Sequence, residues 1–491
     1  MSYGPEMALW LLLIIPALAA ALIPMAGKAP NIREAITLIA GAALLANVIY
    51  LVRLVGLGER PEILLVPFAG PLDIKLTLEP LGAIFAAIAS SLWIVNSLFT
   101  VGYMRGNNEK NQTRFYTYVA IAIAAAMGIA AAGNLITLFV FYEALTLSTY
   151  PLVTHKGDAK ARRGGRIYLG ILMATSLGLL LPAIIGTYYF AGTTDFAVGG
   201  LFNGAIGTGV ASVLLLLFAF GIGKAALMPV HMWLPNAMVA PTPVSALLHA
   251  VAVVKAGVFT MLKVVLYVFG PDLVSQTGAG TFLAWLAAFS IVAASIIALR
   301  KDNLKARLAY STVSQLSYIT LGAMIAAPAA LMGGGLQIVM HAWGKITLFM
   351  CAGAIYTAVK RTEVSQLDGL GRKMPWVFGA FLVGSASIIG LPPLGGSWPK
   401  FMLMVGAIDA GKAVLIAALI LSSLLNVAYL MPVAIRGFLK PANDPAADAA
   451  IVQPIWVVIP PVITAAGAFI LFFFAGDIID YLRPVLPAGG L

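Results

Sequence analysis

Apolar runs of roughly 20 residues, the length that crosses a hydrocarbon core about 30 Å thick, follow one another along the chain and are parted by short polar connections. The pattern predicts fourteen membrane-spanning helices, at about 7–26, 32–56, 80–104, 114–132, 134–154, 165–190, 208–228, 244–269, 279–299, 304–326, 331–358, 376–407, 412–437 and 453–475. The first run contains an A-x-A pattern in "ALAAALIP". However, its polar start holds Glu6 and no Lys or Arg, and the run exceeds the roughly 7–15 residues of a signal peptide, so a retained helix is the expectation.

Composition agrees with this reading. Of 491 residues, 61% are hydrophobic and 10% charged, against about a quarter charged in soluble domains. The expected class is an all-α polytopic membrane protein. The single cysteine, Cys351, excludes a disulfide framework, a thiolate-bound iron–sulfur cluster and a Cys-based zinc site. The chain is expected to carry no redox cofactor of its own, so any electron chemistry belongs to a partner.

Basic residues test the span count, because cytoplasmic connections collect Lys and Arg. Taking alternate connections, twenty basic residues fall on one side, from Lys28 and Arg33 to Arg436 and Lys440, and five on the other, Arg53, Arg60, Lys75, Lys412 and Arg483. Both termini should then face away from the cytoplasm, in a cell inner membrane. The net charge of +11 is a topology signal and not a nucleic-acid footprint; a basic surface for an acidic partner is the weaker alternative.

Five lysines remain inside the helices: Lys224, Lys255, Lys263, Lys345 and Lys400. Against them the reading places one intramembrane carboxylate, Glu143 in "NLITLFVFYEALTLSTY". A charge at the bilayer centre costs at least about 2.5–3.5 kcal/mol, so such residues face a protein interior or a water-filled path. Lys263 lies near a helix end, where a snorkelling side chain is the simpler reading. Lys224, Lys255 and Lys345 are deeper, and a Glu143–Lys224 pair is the natural combination, either as a purely structural ion pair or as a site whose carboxylate tunes the lysine's proton affinity.

Helix breaks fall beside two of these lysines. Pro229 follows Lys224 in "GIGKAALMPVHMWLP", and Pro392, Pro393 and Pro399 precede Lys400 in "GLPPLGGSWPKF"; proline removes a helical hydrogen bond. Interrupted backbone at membrane depth is tolerated where protein or a cavity surrounds it, and paired broken helices point to repeats around a central path. The spacing suggests two five-helix units, about 114–269 and 279–437. His341 and Lys345 in "VMHAWGKITLFM" are i and i+4, on one helix face, while His249 precedes Lys255 in "SALLHAVAVVKAGVF". Histidine passes protons near neutral pH. The alternatives are a satisfied structural imidazole, as weighty as a relay role for His231, and a haem with two axial histidines, which nothing in the spacing demands.

These segments, with "FYEALTLSTYPLV" and "DNLKARLAYSTVSQLSYI", resemble the proton-conducting antiporter-like membrane proteins: the D-type subunits of multisubunit Mrp cation/proton antiporters and the L, M and N type subunits of respiratory complex I and membrane-bound hydrogenases. The resemblance covers roughly 110–440. It implies fourteen helices with two inverted five-helix repeats and broken seventh and twelfth helices. The regions would be 1–110 (helices 1–3), 111–270, 271–440, and 441–491 with the last helix and tail. It further implies that Glu143, Lys224, Lys255, His341, Lys345 and Lys400 match the family's ionisable positions on helices five, seven, eight, eleven and twelve. No acid lies in the sixth helix, and the chain stops soon after the fourteenth, without the long lateral helix of L-type relatives, so a D- or M-like member fits better.

The implied activity is a proton relay. Glu143 sets the charge of Lys224, protons exchange through Lys255, His249, His341 and Lys345 along a hydrated axis, and Lys400 meets the far side or a neighbouring subunit. The expected partners are other membrane subunits, protons and Na⁺, and the lipid bilayer. No carboxylate cluster resembles a Na⁺ cage, so a metal site is not legible. A quinone- or haem-binding redox subunit, a stand-alone solute transporter and an inactive structural subunit are the readings from other classes.

Overall fold

The computed structural model describes residues 4–68, 72–202, 204–441 and 451–487. Helices α1 (Pro5–Met25), α2 (Pro30–Gly56), α3 (Pro80–Gly106), α4 (Gln112–Ala130) and α5 (Leu135–Val153) come first, with an antiparallel hairpin of β1 (Glu62–Val66) and β2 (Ile74–Thr77) between α2 and α3. Then follow α6 (Ala159–Thr175), which continues through a π turn into α7 (Leu181–Ala191), and α8 (Thr208–Gly221). Short helices α9 (Trp233–Asn236) and α10 (Thr242–Ala246) lead into α11 (Val253–Val264), and α12 (Pro271–Gln276) into α13 (Gly278–Arg300). The rest are α14 (Leu304–Ile325), α15 (Pro328–Val359), α16 (Pro375–Ile389), α17 (Ser397–Asp409), α18 (Ile416–Leu439), α19 (Ile455–Ile470) and α20 (Ala475–Leu482).

Ten helical stretches among the described residues are long and apolar enough to cross a membrane, and an eleventh counts if α19 and α20, bent by 73°, form one span. Three of the fourteen expected spans do not meet that test of length and hydropathy. Two of them are broken, leaving α8 and α16 as short apolar halves. A third, α14, buries Ser311, Thr312, Ser314, Gln315, Ser317 and Thr320, so its polarity is too high for an isolated span, although protein surrounds it.

The sequence explains the helix starts. Asn134 and Asp158 accept from backbone N–H groups three residues on, at 2.7 Å each, as do Thr277 and Asn303 at longer range; such caps satisfy donors that the first turn leaves free. Burial then sorts the helices. The stretch Thr242–Phe269 is buried throughout its hydrophobic window and α15 nearly so, whereas α1, α2 and α18 bury only about a third of theirs. α11 and α15 are therefore the central axis. Helices hydrophobic all round belong inside the protein, and these two carry four of the titratable residues singled out in the sequence; α3, α4, α5 and α14 pack against α11, and α3, α14, α16, α17 and α19 against α15.

The hairpin is not expected from the helical pattern. Its edge is tied to the membrane helices where Thr77 N donates to Ala131 O at 2.7 Å, and this places Glu79, the residue before Pro80, at the start of α3.

Candidate functional site

The first break is held open by side chains. α8 ends at Gly221, Gly223–Ala225 forms one tight turn, and Ala226 takes a left-handed conformation with φ 53°. The backbone groups this exposes find partners: Lys224 N donates to the Tyr142 hydroxyl at 3.1 Å, and Trp233 Nε1 donates to Gly223 O at 2.9 Å. Broken backbone at membrane depth persists only with such substitutes. The Lys224 side chain, fully buried, turns toward α5, where Nζ donates to Tyr142 O at 2.7 Å and Thr146 Oγ1 at 2.6 Å and lies 3.1 Å from the Tyr142 ring centroid.

The direct Glu143–Lys224 ion pair expected from sequence does not form. The Tyr142 carbonyl and the Thr146 hydroxyl, on either side of Glu143 along α5, take up the ammonium, and both carboxylate oxygens of Glu143 are buried without a hydrogen-bond partner. No hydrogen bond therefore links this carboxylate to Lys224.

α11 supplies Lys255, whose Nζ lies 2.8 Å from Nδ1 of His341 on α15. His341 Nε2 has no partner, and neither has either ring nitrogen of His249, which packs on Phe349 with centroids 4.6 Å apart. One turn beyond His341, Lys345 Nζ donates to Ser311 Oγ at 2.6 Å. At the second break Gly390 takes φ 90°, and Lys400 Nζ donates to the freed carbonyl of Ile389 at 2.7 Å and to Ser423 Oγ at 2.9 Å. Both breaks thus carry a lysine that bonds a backbone carbonyl, one on the neighbouring α5 and one at the frayed end of α16.

Lys263 corrects the sequence reading. It does not snorkel: it is 1% exposed, its Nζ lies 3.2 Å from Glu79 Oε1 and donates to Ala132 O at 2.8 Å, and Tyr267 donates to Glu79 Oε2 at 2.8 Å. Glu143 is likewise not the sole carboxylate in a span. Glu79 caps α3 by accepting from Leu81 N at 2.8 Å and Gly82 N at 3.1 Å, and Glu34, buried in α2, pairs with Arg105. An acid directly before Pro at a helix start is the signal in the sequence that points to Glu79. His231 is half-exposed, with Nδ1 3.3 Å from Pro229 O, and stays outside the lysine array.

Among the described residues no group of three or more His, Cys, Asp or Glu side chains could hold a metal ion. The arrangement can instead move protons. Lys224, Lys255, Lys345 and Lys400 have no carboxylate within ion-pair distance among the described residues, and their Nζ atoms bond hydroxyls, carbonyls and one imidazole. Lys255, Lys345 and Lys400 can each lose a proton without leaving a buried counter-ion stranded.

The profile of the family described as NADH:quinone oxidoreductase/Mrp antiporter, TM, matches residues 132–426. The chain is 31% identical over 427 residues to NADH-quinone oxidoreductase subunit N of Desulforudis audaxviator (strain MP104C), covering 84% of each chain. It is 30% identical over 347 residues to NAD(P)H-quinone oxidoreductase chain 5 of Synechocystis sp. (strain ATCC 27184 / PCC 6803 / Kazusa), 67% of this chain but 49% of that one, so it spans about half of that relative's length. In fold it is similar to a chain of the Mrp complex from Dietzia sp. DQ12-45-1b, with a TM-score of 0.87, 21% identity, and 98% and 97% of the two chains covered. A chain of the membrane-bound sulfane sulfur reductase, an archaeal respiratory membrane complex, gives a TM-score of 0.84 at 23% identity, over 97% of this chain and 78% of that one.

Proposed function

The chain belongs to the NADH:quinone oxidoreductase/Mrp antiporter transmembrane family, and from that membership we propose that it is the proton-translocating subunit of a multisubunit Mrp-type cation/proton antiporter. The observation that carries the proposal is the set of four buried lysines bonded to neutral groups, joined at the centre by the 2.8 Å Lys255–His341 contact.

A proton on Lys224 is favoured when Glu143 is ionised, because an opposite charge nearby offsets the cost of burying the ammonium. Neutralising Glu143 releases that proton toward the axis. Lys255 and His341 share a hydrogen bond in which the ammonium donates to a neutral imidazole, so one proton shift converts the lysine to its amine and the histidine to imidazolium. His249, also unpartnered, is within the same axis, and Lys345 receives the proton one turn along α15 from His341. Lys400 holds the terminal proton at the second break. Regions 111–270 and 271–440 then act as two related five-helix units, each with a broken helix, and both termini face away from the cytoplasm. Exchange of Na⁺ for the protons belongs to the same proposal, with other membrane subunits as partners.

A second reading has its own support. The 31% identity to a subunit N across 84% of both chains favours a complex I-like assembly, in which partner subunits bring the redox groups and this chain moves protons by the same residues. Proton and sodium flux in vesicles holding the intact native complex, with Glu143→Ala and Lys224→Ala at matched assembly, tests the proposal. Loss of proton flux in both, with sodium-coupled flux in the wild type, supports the antiporter; proton flux that needs an electron donor and ignores sodium selects the second reading. Undiminished flux in both variants contradicts the relay.

A further inference from the structure

Between α16 and α19 the surface opens into an apolar groove of about 750 Å³. Small side chains make its walls, Gly379 and Ala380 on α16 and Ala465 and Ala466 on α19, and Leu394 of the second break lies at its inner end. Larger side chains stand at the rim: Trp376 is 71% exposed, Phe469 44% and Leu382 40%. The groove is tied at both ends. At one, Gln453 Nε2 donates to Lys373 O at 3.0 Å and joins the chain before α19 to the chain before α16. At the other, Gly395 N donates to Ala468 O at 3.0 Å and holds the break against α19.

Length decides what fits. The lined part of α16, residues 375–383, rises about 12 Å at 1.5 Å per residue, against about 15 Å for one leaflet of a 30 Å hydrocarbon core. Beyond the break the same two segments close up. The Trp398 and Phe472 rings lie 5.7 Å apart, Trp398 Nε1 donates to Phe472 O at 3.0 Å, and the chain turns by 73° after α19. A helix of a partner subunit crosses both leaflets and keeps its axis about 8–10 Å from its neighbours, so along this line it would run into the aromatic closure. An acyl chain ends within one leaflet and fits.

Charge selects the headgroup. Arg372 and Lys373 stand directly before α16, at the outer end of the groove, and no acid lines it. Arg372 is exposed, and its Nε and Nη2 donate to Phe438 O at 2.9 Å and Leu439 O at 3.4 Å, so no carboxylate neutralises it among the described residues. A guanidinium at the membrane surface attracts anionic lipid and bonds phosphate well, and Trp376 beside it suits the headgroup layer.

We propose that this groove binds an anionic phospholipid, with one acyl chain between α16 and α19 as far as Leu394 and the phosphate at Arg372. The chain then packs against the break at which Ile389 O holds Lys400. The inference needs only that α16 and α19 lie in a bilayer; it does not depend on the relay or on which ion moves.

The test is photo-crosslinking of the intact complex in phosphatidylcholine vesicles that contain a phosphatidylglycerol with a diazirine on one acyl chain, the labelled peptides being read by mass spectrometry. Peptides holding Leu394 and residues 465–469 should be labelled at least fivefold more than the α13 face around Phe289, which is 61% exposed and reports bulk lipid. Gly379→Leu with Ala466→Leu fills the groove, from a position where an added Cβ meets nothing within 4 Å and from an exposed one. It should cut the groove label at least tenfold and leave the α13 label unchanged. Arg372→Gln should lower the groove label at least threefold, and the same diazirine on a phosphatidylcholine should label the groove no more than α13, a comparison that needs no variant to assemble. Groove labelling no greater than that of α13, or unchanged in the filled variant, overturns the site. A groove shielded from both lipids and crosslinked to another subunit assigns it to a protein partner and also overturns it. Equal labelling by the two headgroups overturns the anionic lipid.

Discussion

What a buried lysine touches decides what it can do. Lys263 has a carboxylate at 3.2 Å, a carbonyl at 2.8 Å and a tyrosine that completes the pair through Glu79, so its charge is fixed in place. Removing one partner of such a pair costs about 3–5 kcal/mol, because the other is left buried and alone, while replacing both with apolar groups is often neutral. Glu79→Ala should therefore lower the thermal midpoint of the purified complex sharply, and Glu79→Leu with Lys263→Leu should restore much of it. A double variant as unstable as the single one would show that the pair is held for more than charge balance. His155, in the connection after α5, provides a pH-dependent case. Burial, and then Arg114 and Lys156 nearby, push its imidazole down to about 4, against about 6.5 when unfolded. Because the folded value is depressed, the neutral form's stability is complete above pH 6.5 and declines as pH falls through 4, by up to about 1.4 kcal/mol per unit of difference. Unfolding scans between pH 7 and 4 should show this slope in the wild type and a shallower one in His155→Phe, which keeps a ring against Phe115; equal slopes would assign the dependence to other groups.

At the scale of elements, glycines let the broken segments pack closely, the first against central α11 and the second against its own preceding helix α16. A Cβ on Gly257 of α11 would stand 2.2 Å from the carbonyl carbon of Lys224 and 2.3 Å from Ala225 N, and one on Gly396 would stand 1.9 Å from Ser387 O. These neighbours are backbone and cannot turn aside. Gly257→Ala should push α11 from the first break, lower flux at least tenfold and reduce thermal stability, whereas Gly170→Ala in α6, with open space around it, should be neutral or gain up to about 1 kcal/mol from helix propensity. Equal behaviour of the two variants would mean that the close approach does not matter for transport. The spans, the two breaks and the lysines beside them are legible in the sequence because hydropathy and proline are local signals. The hairpin is not, because "EILLV" and "IKLT" are short apolar runs flanked by Pro and Gly, and neither is the partner of Lys263, which lies 184 residues away. The mutual contact of Ser295, Ser314 and Ser422 is equally hidden: the three come from α13, α14 and α18, and a serine in a helix ordinarily bonds its own backbone.

For the molecule as a whole, family membership narrows the function to that of an antiporter-like membrane subunit of the complex I/Mrp kind, and the proposed proton path is the buried array. The expectation of a direct Glu143–Lys224 contact fails because sequence indicates proximity in the fold but not which acceptor an ammonium takes; Tyr142 O and Thr146 lie on the same helix and take it first. The relay predicts a division among the lysines that composition cannot express: those bonded to neutral groups carry protons, and the one bonded to Glu79 does not. The direct test is proton flux through the intact complex in vesicles, comparing Lys255→Met and Lys345→Met with the Glu79→Leu, Lys263→Leu double variant at equal assembly. Flux should fall at least a hundredfold in each of the first two and stay near wild type in the third. Flux retained in Lys255→Met and Lys345→Met, or abolished only with the Glu79–Lys263 pair, would contradict it.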